Sequence, residues 1–101
     1  MQLIEILLPL RDKEGRPFDP TIWAQVREEL IDKFGGLTAF TREPAEGLWE
    51  ENGRRDKDEI VILEVMAETL DRNWWRTYRE ELERRFRQDE IVLRGREIER
   101  F

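Results

Sequence analysis

The chain has 101 residues, a net charge of -6 and no Cys or His. Without those two residue types, disulfides, thiolate nucleophiles, Ser-His-Asp triads and the usual zinc sites are excluded. The length predicts one domain, residues 1–101. The acidic balance argues against backbone-tracking nucleic-acid binding.

Residues 2–10 form a short β-rich run ended by Pro9, the pattern of a buried strand. Residues 11–18 are charged, hold Gly15 and Pro17, and read as a loop. Asp19-Pro20 is a helix start, with Asp as cap and Pro at the first helical position. Ile22, Trp23, Val26, Leu30 and Phe34 then fall on one helical face. Gly35-Gly36 ends that helix by supplying positive φ.

Residues 37–42 read as a second strand. The stretch 43–58 holds Pro44, Gly47 and Gly53 among charges and predicts a long hairpin connection with an irregular tip. Residues 59–67 form the most apolar strand. Asp71 caps a second helix whose buried face is Trp75, Tyr78, Leu82 and Phe86. Residues 91–94 make a last strand that 95–101 can extend.

The helices repeat one pattern. Asp19, Trp23, Arg27 to Leu30 and Phe34 recur as Asp71, Trp75, Arg79 to Leu82 and Phe86, each 52 positions later. Duplication produces such a pattern, and so do two amphipathic helices facing one sheet. The order β-α-β-β-α-β, with right-handed crossovers, predicts an α+β ferredoxin-like fold. That fold is a four-stranded antiparallel sheet with both helices on one face.

Leu-Pro-Leu at 8–10, Phe-Gly-Gly-Leu-Thr at 34–38, Pro-Ala-Glu-Gly-Leu-Trp at 44–49, Trp-Trp-Arg-Thr-Tyr-Arg at 74–79 and Phe-Arg-Gln at 86–88 resemble a set of small uncharacterised bacterial proteins with a ferredoxin-like fold. The resemblance implies a stand-alone bacterial protein. It brings no activity and no functional residue.

Strand alternation locates the candidate site. Ile4, Ile6, Leu8, Val61, Leu63 and Val65 are expected to face the helices. Leu3, Glu5, Leu7, Ile60, Ile62, Glu64 and Met66 then face away, flanked by Thr38, Phe40 and Arg42 on one edge and Val92, Arg94 and Arg96 on the other. Three readings follow for this open face. Glu5 and Glu64 can pair with Arg42 and Arg94 across strands. The apolar residues, Ile62 and Met66 among them, can be covered by a second copy. Two neighbouring carboxylates can also form an acid and a base. Trp49, inside the long connection, is either a loop anchor or an aromatic lid.

Arg84, Arg85 and Arg87 near the end of the second helix suit its dipole without a ligand. Arg79 is expected to lay its stem over the core with its head in solvent.

The expected function is therefore a non-catalytic domain that self-associates through the open face, most simply as a homodimer. The alternative is a small-molecule enzyme or binding protein using Glu5 or Glu64 with flanking arginines. A separate protein partner fits the size and acidity without a specific residue behind it. No cofactor, metal, nucleic acid or membrane partner is implied. The first residues lack a basic segment before an apolar one, so a cytoplasmic location is the default.

Overall fold

Two aspartates start the helices. In the computed structural model, the Asp19 carboxylate accepts hydrogen bonds from the Thr21 amide and hydroxyl, both at 2.9 Å. The Asp71 carboxylate accepts from the Trp74 amide at 3.0 Å. Each satisfies a backbone donor that the first helical turn leaves without a partner. Helix α1 follows as Pro20–Phe34 and helix α2 as Arg72–Arg85. The structure describes residues 1–42, 50–51, 54–55 and 59–101, with side chains described outside 40–42, 50–51 and 54–55.

The two helices end in different ways. Gly35 closes α1 at φ 80°, and its amide bonds the Ile31 carbonyl at 2.7 Å. Beyond α2, Arg87 takes the left-handed position at φ 50°. The Arg87 amide bonds the Arg84 carbonyl, and the Gln88 amide bonds the Glu83 carbonyl. That is the Schellman arrangement, usually built on glycine. An L side chain there costs about 1 kcal/mol.

The strands are β1 (Gln2–Pro9), β2 (Thr38–Arg42), β3 (Glu50–Glu51), β4 (Arg54–Arg55), β5 (Ile60–Ala67) and β6 (Val92–Glu97). Four of them make an antiparallel sheet in the order β2-β5-β1-β6. β3 and β4 pair only with each other, inside the long connection between β2 and β5. The architecture is α+β.

One contiguous apolar core joins sheet and helices. Ile4, Ile6, Leu8, Leu63 and Val65 meet Val26 and Leu30 of α1 and Trp75, Tyr78 and Leu82 of α2. The side of the sheet expected to face the helices is the side that packs. Phe18, assigned to a loop from sequence, also joins this core.

The sequence repeat has a structural counterpart in aromatic packing. Trp23 of the first copy packs edge-on against Phe86 of the second, with ring centres 5.0 Å apart. Phe34 of the first copy stacks on Trp75 of the second at 5.1 Å. Each helix thus sets its N-terminal Trp against the other helix's C-terminal Phe, so the two run antiparallel. Phe18 adds a second edge contact to Phe86 at 5.0 Å.

The repeated positions do not match in every respect. Arg85 binds Glu29 across the helix pair, with Nη2 to Oε2 at 2.9 Å, and also reaches Glu81 on its own helix. The equivalent of Arg85 in the first copy is Lys33. Its ammonium lies 4.6 Å from the centre of the Trp74 ring instead. Tyr78 sits beside the Glu29–Arg85 pair, and burial, reinforced by the Glu29 charge, raises its phenol well above the ordinary value.

Candidate functional site

Register sorts the outward-facing residues into rows across the sheet. Phe40, Ile62, Leu7 and Val92 occupy one row. Thr38, Glu64, Glu5 and Arg94 occupy the next. Met66, Leu3 and Arg96 make a third. A polar row therefore lies between two largely apolar ones.

Glu5 and Glu64 are direct cross-strand neighbours, as alternation and strand order led one to expect. Opposed like charges repel, and Arg94 supplies a countercharge. Its Nε lies 3.4 Å from Glu5 Oε1, and the Glu5 side chain is only 16% exposed. Half of the expected charge pairing is thus present.

Register decides the place of the other half. Thr38, not Arg42, stands opposite Glu64, and Arg42 stands opposite Ile60. The four-residue step from Thr38 to Arg42 spans about 13 Å along a strand. The register of β2 therefore removes Arg42 from the carboxylate row. Among the described residues, Glu64 has no ion-pair partner. Trp49 lies outside the described residues, so neither its anchoring nor its lid role is addressed.

Ile62 also departs from expectation. It belongs to the outward row, yet it is 1% exposed. It offers no surface to a partner. The apolar exposure of this face sits at its margins instead, on Met66 (44%) and Val92 (49%).

Glu64 has a second setting. With Leu3, Thr38, Met66, Arg100 and the Gly35-Gly36 turn, it lines a groove of about 420 Å³ at one end of the face. The turn after α1 and the start of β2 form one wall. Sequence reasoning placed Glu64 and Met66 together but did not place the turn or Arg100 beside them. Those contacts depend on how the chain folds back between elements, which alternation does not encode.

The aromatic candidates resolve into structure. Trp75 is buried in the core. Trp74 stacks on Tyr78 at 4.8 Å and meets Phe34 edge-on at 5.4 Å. It therefore joins the two helices. The basic cluster after α2 is largely engaged by acids: Arg84 and Arg85 bind Glu81, Arg85 binds Glu29, and Arg87 lies 3.9 Å from Asp12. Hydrogen bonds from Arg84 and Arg85 hold the Glu81 carboxyl below its ordinary range.

Among the described residues, no group of three or more Asp or Glu could hold a metal ion, and no helix is long and apolar enough to cross a membrane. No family model matches the chain, and no curated protein or solved structure matches it.

Proposed function

We propose that this is a non-catalytic domain of ferredoxin-like topology that self-associates through the outer face of its sheet. The topology reading rests on the strand order β2-β5-β1-β6 and on the helical crossovers after β1 and β5. The functional reading rests on one observation: a charged row, acidic in the middle and basic at the β6 end, runs between exposed Met66 and exposed Val92.

Such a row is self-complementary. A two-fold axis parallel to the strands and passing over β1 superimposes β5 of one protomer on β6 of its partner. Arg94 of each copy then meets Glu64 of the other, while the two Glu5 carboxylates face each other across the axis, each held by its own Arg94. Met66 of each copy then lies over the Arg96 stem of the other, and Val92 over the Ile62–Leu7 row. An isologous face of this kind is the common solution for small homodimers.

Charge reversal tests the pairing. Glu64→Arg alone and Arg94→Glu alone are each expected to shift the protein toward monomer in light scattering. Combining them is expected to restore the dimer. Failure of the double variant to recover rules out the proposed axis.

The groove beside Glu64 favours a second reading, a small-molecule site. There Glu64 accepts a donor from the ligand and Arg100 holds an anionic group. Saturable binding of a cationic or hydroxylated ligand by the wild type, lost in Glu64→Gln, is the result this reading requires.

A further inference from the structure

A second groove, of about 510 Å³, runs between α2 and the edge strand β6. It belongs to neither of the preceding readings. Ile4, Leu93 and Trp75 line its apolar part, and Arg72, Arg76, Arg79 and Arg96 line its polar part. The first three arginines are spaced by four and three residues, which sets them on one face of α2. Arg76 thus has Arg72 and Arg79 as helix neighbours, with Glu80 four residues on. In a chain of net charge -6, three cations of α2, with Arg96 at the strand edge, border one groove whose lining holds a single carboxylate, Glu97.

The arginines are not used up by the fold. Among the described residues, none of the four takes part in an ion pair. Arg79 Nε is buried and has no hydrogen-bond partner there. Arg79 as a whole is half-buried, and this donor sits at the groove without an acceptor among the described residues.

The opposite side of the groove is a sheet edge. β6 pairs with β1 and is the last strand of the order. The Ile98 amide bonds the Met1 carbonyl at 2.9 Å. By antiparallel alternation, Arg96, Arg94 and Val92 then turn their backbone groups toward β1, and Leu93, Gly95 and Glu97 turn theirs outward. These three also line the groove. Gly95 keeps the space open: a Cβ there would touch Leu3 O at 3.5 Å and Ile4 Cγ1 at 3.6 Å, so a longer side chain would have to enter the groove.

We propose that this groove binds an extended acidic peptide, which adds to the sheet as a strand beside β6 and directs alternate carboxylates to the α2 arginines. Alternate residues of a strand advance about 6.6 Å. The four- and three-residue steps between the arginines advance about 6 and 4.5 Å along the helix, and a long arginine side chain covers the difference. Successive acidic side chains can therefore meet successive arginines. The backbone of the peptide takes up the outward groups of Leu93, Gly95 and Glu97, the strand-addition mode of recognition.

A second copy of this chain fits poorly here. Antiparallel pairing of two β6 strands about Gly95 opposes Arg94 to Arg96 twice. It also brings two arginine faces of α2 together. Charge complementarity selects an acidic foreign strand.

The test uses fluorescence anisotropy with a labelled peptide of alternating Glu and Val, and a Lys–Val peptide as control. The expected result is saturable binding of the acidic peptide alone, weakened by salt. Arg72→Glu with Arg76→Glu, both exposed positions, should weaken it by about tenfold or more. Gly95→Leu should block it by filling the groove. Methylating the peptide amides that face β6 should abolish it. No binding by the wild type, equal binding of the Lys–Val peptide, or binding indifferent to the arginine reversals would each overturn the proposal. Survival of binding after amide methylation would overturn strand addition. Preferential uptake of an oligonucleotide, or a dimer disrupted by Gly95→Leu without peptide binding, would assign the groove to another occupant and overturn it too.

Discussion

The two faces of this sheet are built from the same strands by the same alternation, and they are finished differently. The inner face presents Ile4, Ile6, Leu8, Leu63 and Val65 to two helices, and an aromatic network completes it. The outer face carries a Glu-Glu-Arg row with exposed Met66 and Val92 beside it. Alternation sorts residues between the faces; the residues at each face decide what it can do. The inner face supplies stability. The outer face retains exposed apolar surface and charge that the fold itself does not consume.

The largest expected effect separates these roles. Phe86 is fully buried and meets both Phe18 and Trp23. Phe86→Ala should cost about 3–5 kcal/mol in urea unfolding. Met66→Ser on the outer face should leave monomer stability within about 0.5 kcal/mol. Equal losses at both positions would erase the distinction between the faces.

A smaller effect is expected within the outer face. The Glu5–Arg94 pair joins adjacent strands and is half-exposed on the arginine side. A double-mutant cycle with Glu5→Gln and Arg94→Ala should give a coupling of about 0.2–1 kcal/mol. The sign should be stabilising and should shrink in high salt.

At the rim of the inner layer, Arg87→Gly should raise stability by about 1 kcal/mol, because glycine takes the left-handed position without a Cβ penalty. A loss would mean that the Arg87 contact near Asp12 outweighs backbone strain.

The smallest effect is the pH response of the α1 start. Hydrogen bonds from the Thr21 amide and hydroxyl hold the Asp19 carboxyl below its ordinary value. A depressed folded-state pKa means that the stabilising contribution is present above the unfolded pKa. It is lost as pH falls through the folded value. Thermal unfolding of wild type and Asp19→Asn should therefore converge in acid and separate toward neutral pH.

Much of the inner face was legible in the chain. Asp19-Pro20, Gly35 and Asp71 carry local chemistry that sets helix ends regardless of context. Apolar spacing named nearly all of the core. Phe18 was not legible, because its burial comes from tertiary contacts with Trp23 and Phe86 that a charged loop sequence does not announce. The left-handed turn at Arg87 was equally hidden, since no glycine marks it.

The outer face was legible in alternation but not in register. Glu5 and Glu64 were found together because each belongs to a long central strand. Thr38 and not Arg42 stands opposite Glu64, because alternation sorts a strand's residues between faces without setting its register against the neighbour. Ile62 was assigned to the correct row but not to its burial, which periodicity does not report. The arginine groove was visible in part: Arg72, Arg76 and Arg79 share helical spacing, but their meeting with Gly95 and the β6 edge needed the fold.

Sedimentation velocity across micromolar concentrations, comparing wild type with Met66→Glu combined with Val92→Glu, tests the central distinction most directly. Both positions are exposed, so the variant protomer should keep its fold, losing only the stability that association adds. The account predicts a concentration-dependent dimer for the wild type and a monomer for the variant. A wild type that remains monomeric throughout, or a dimer unmoved by the two glutamates, would contradict it.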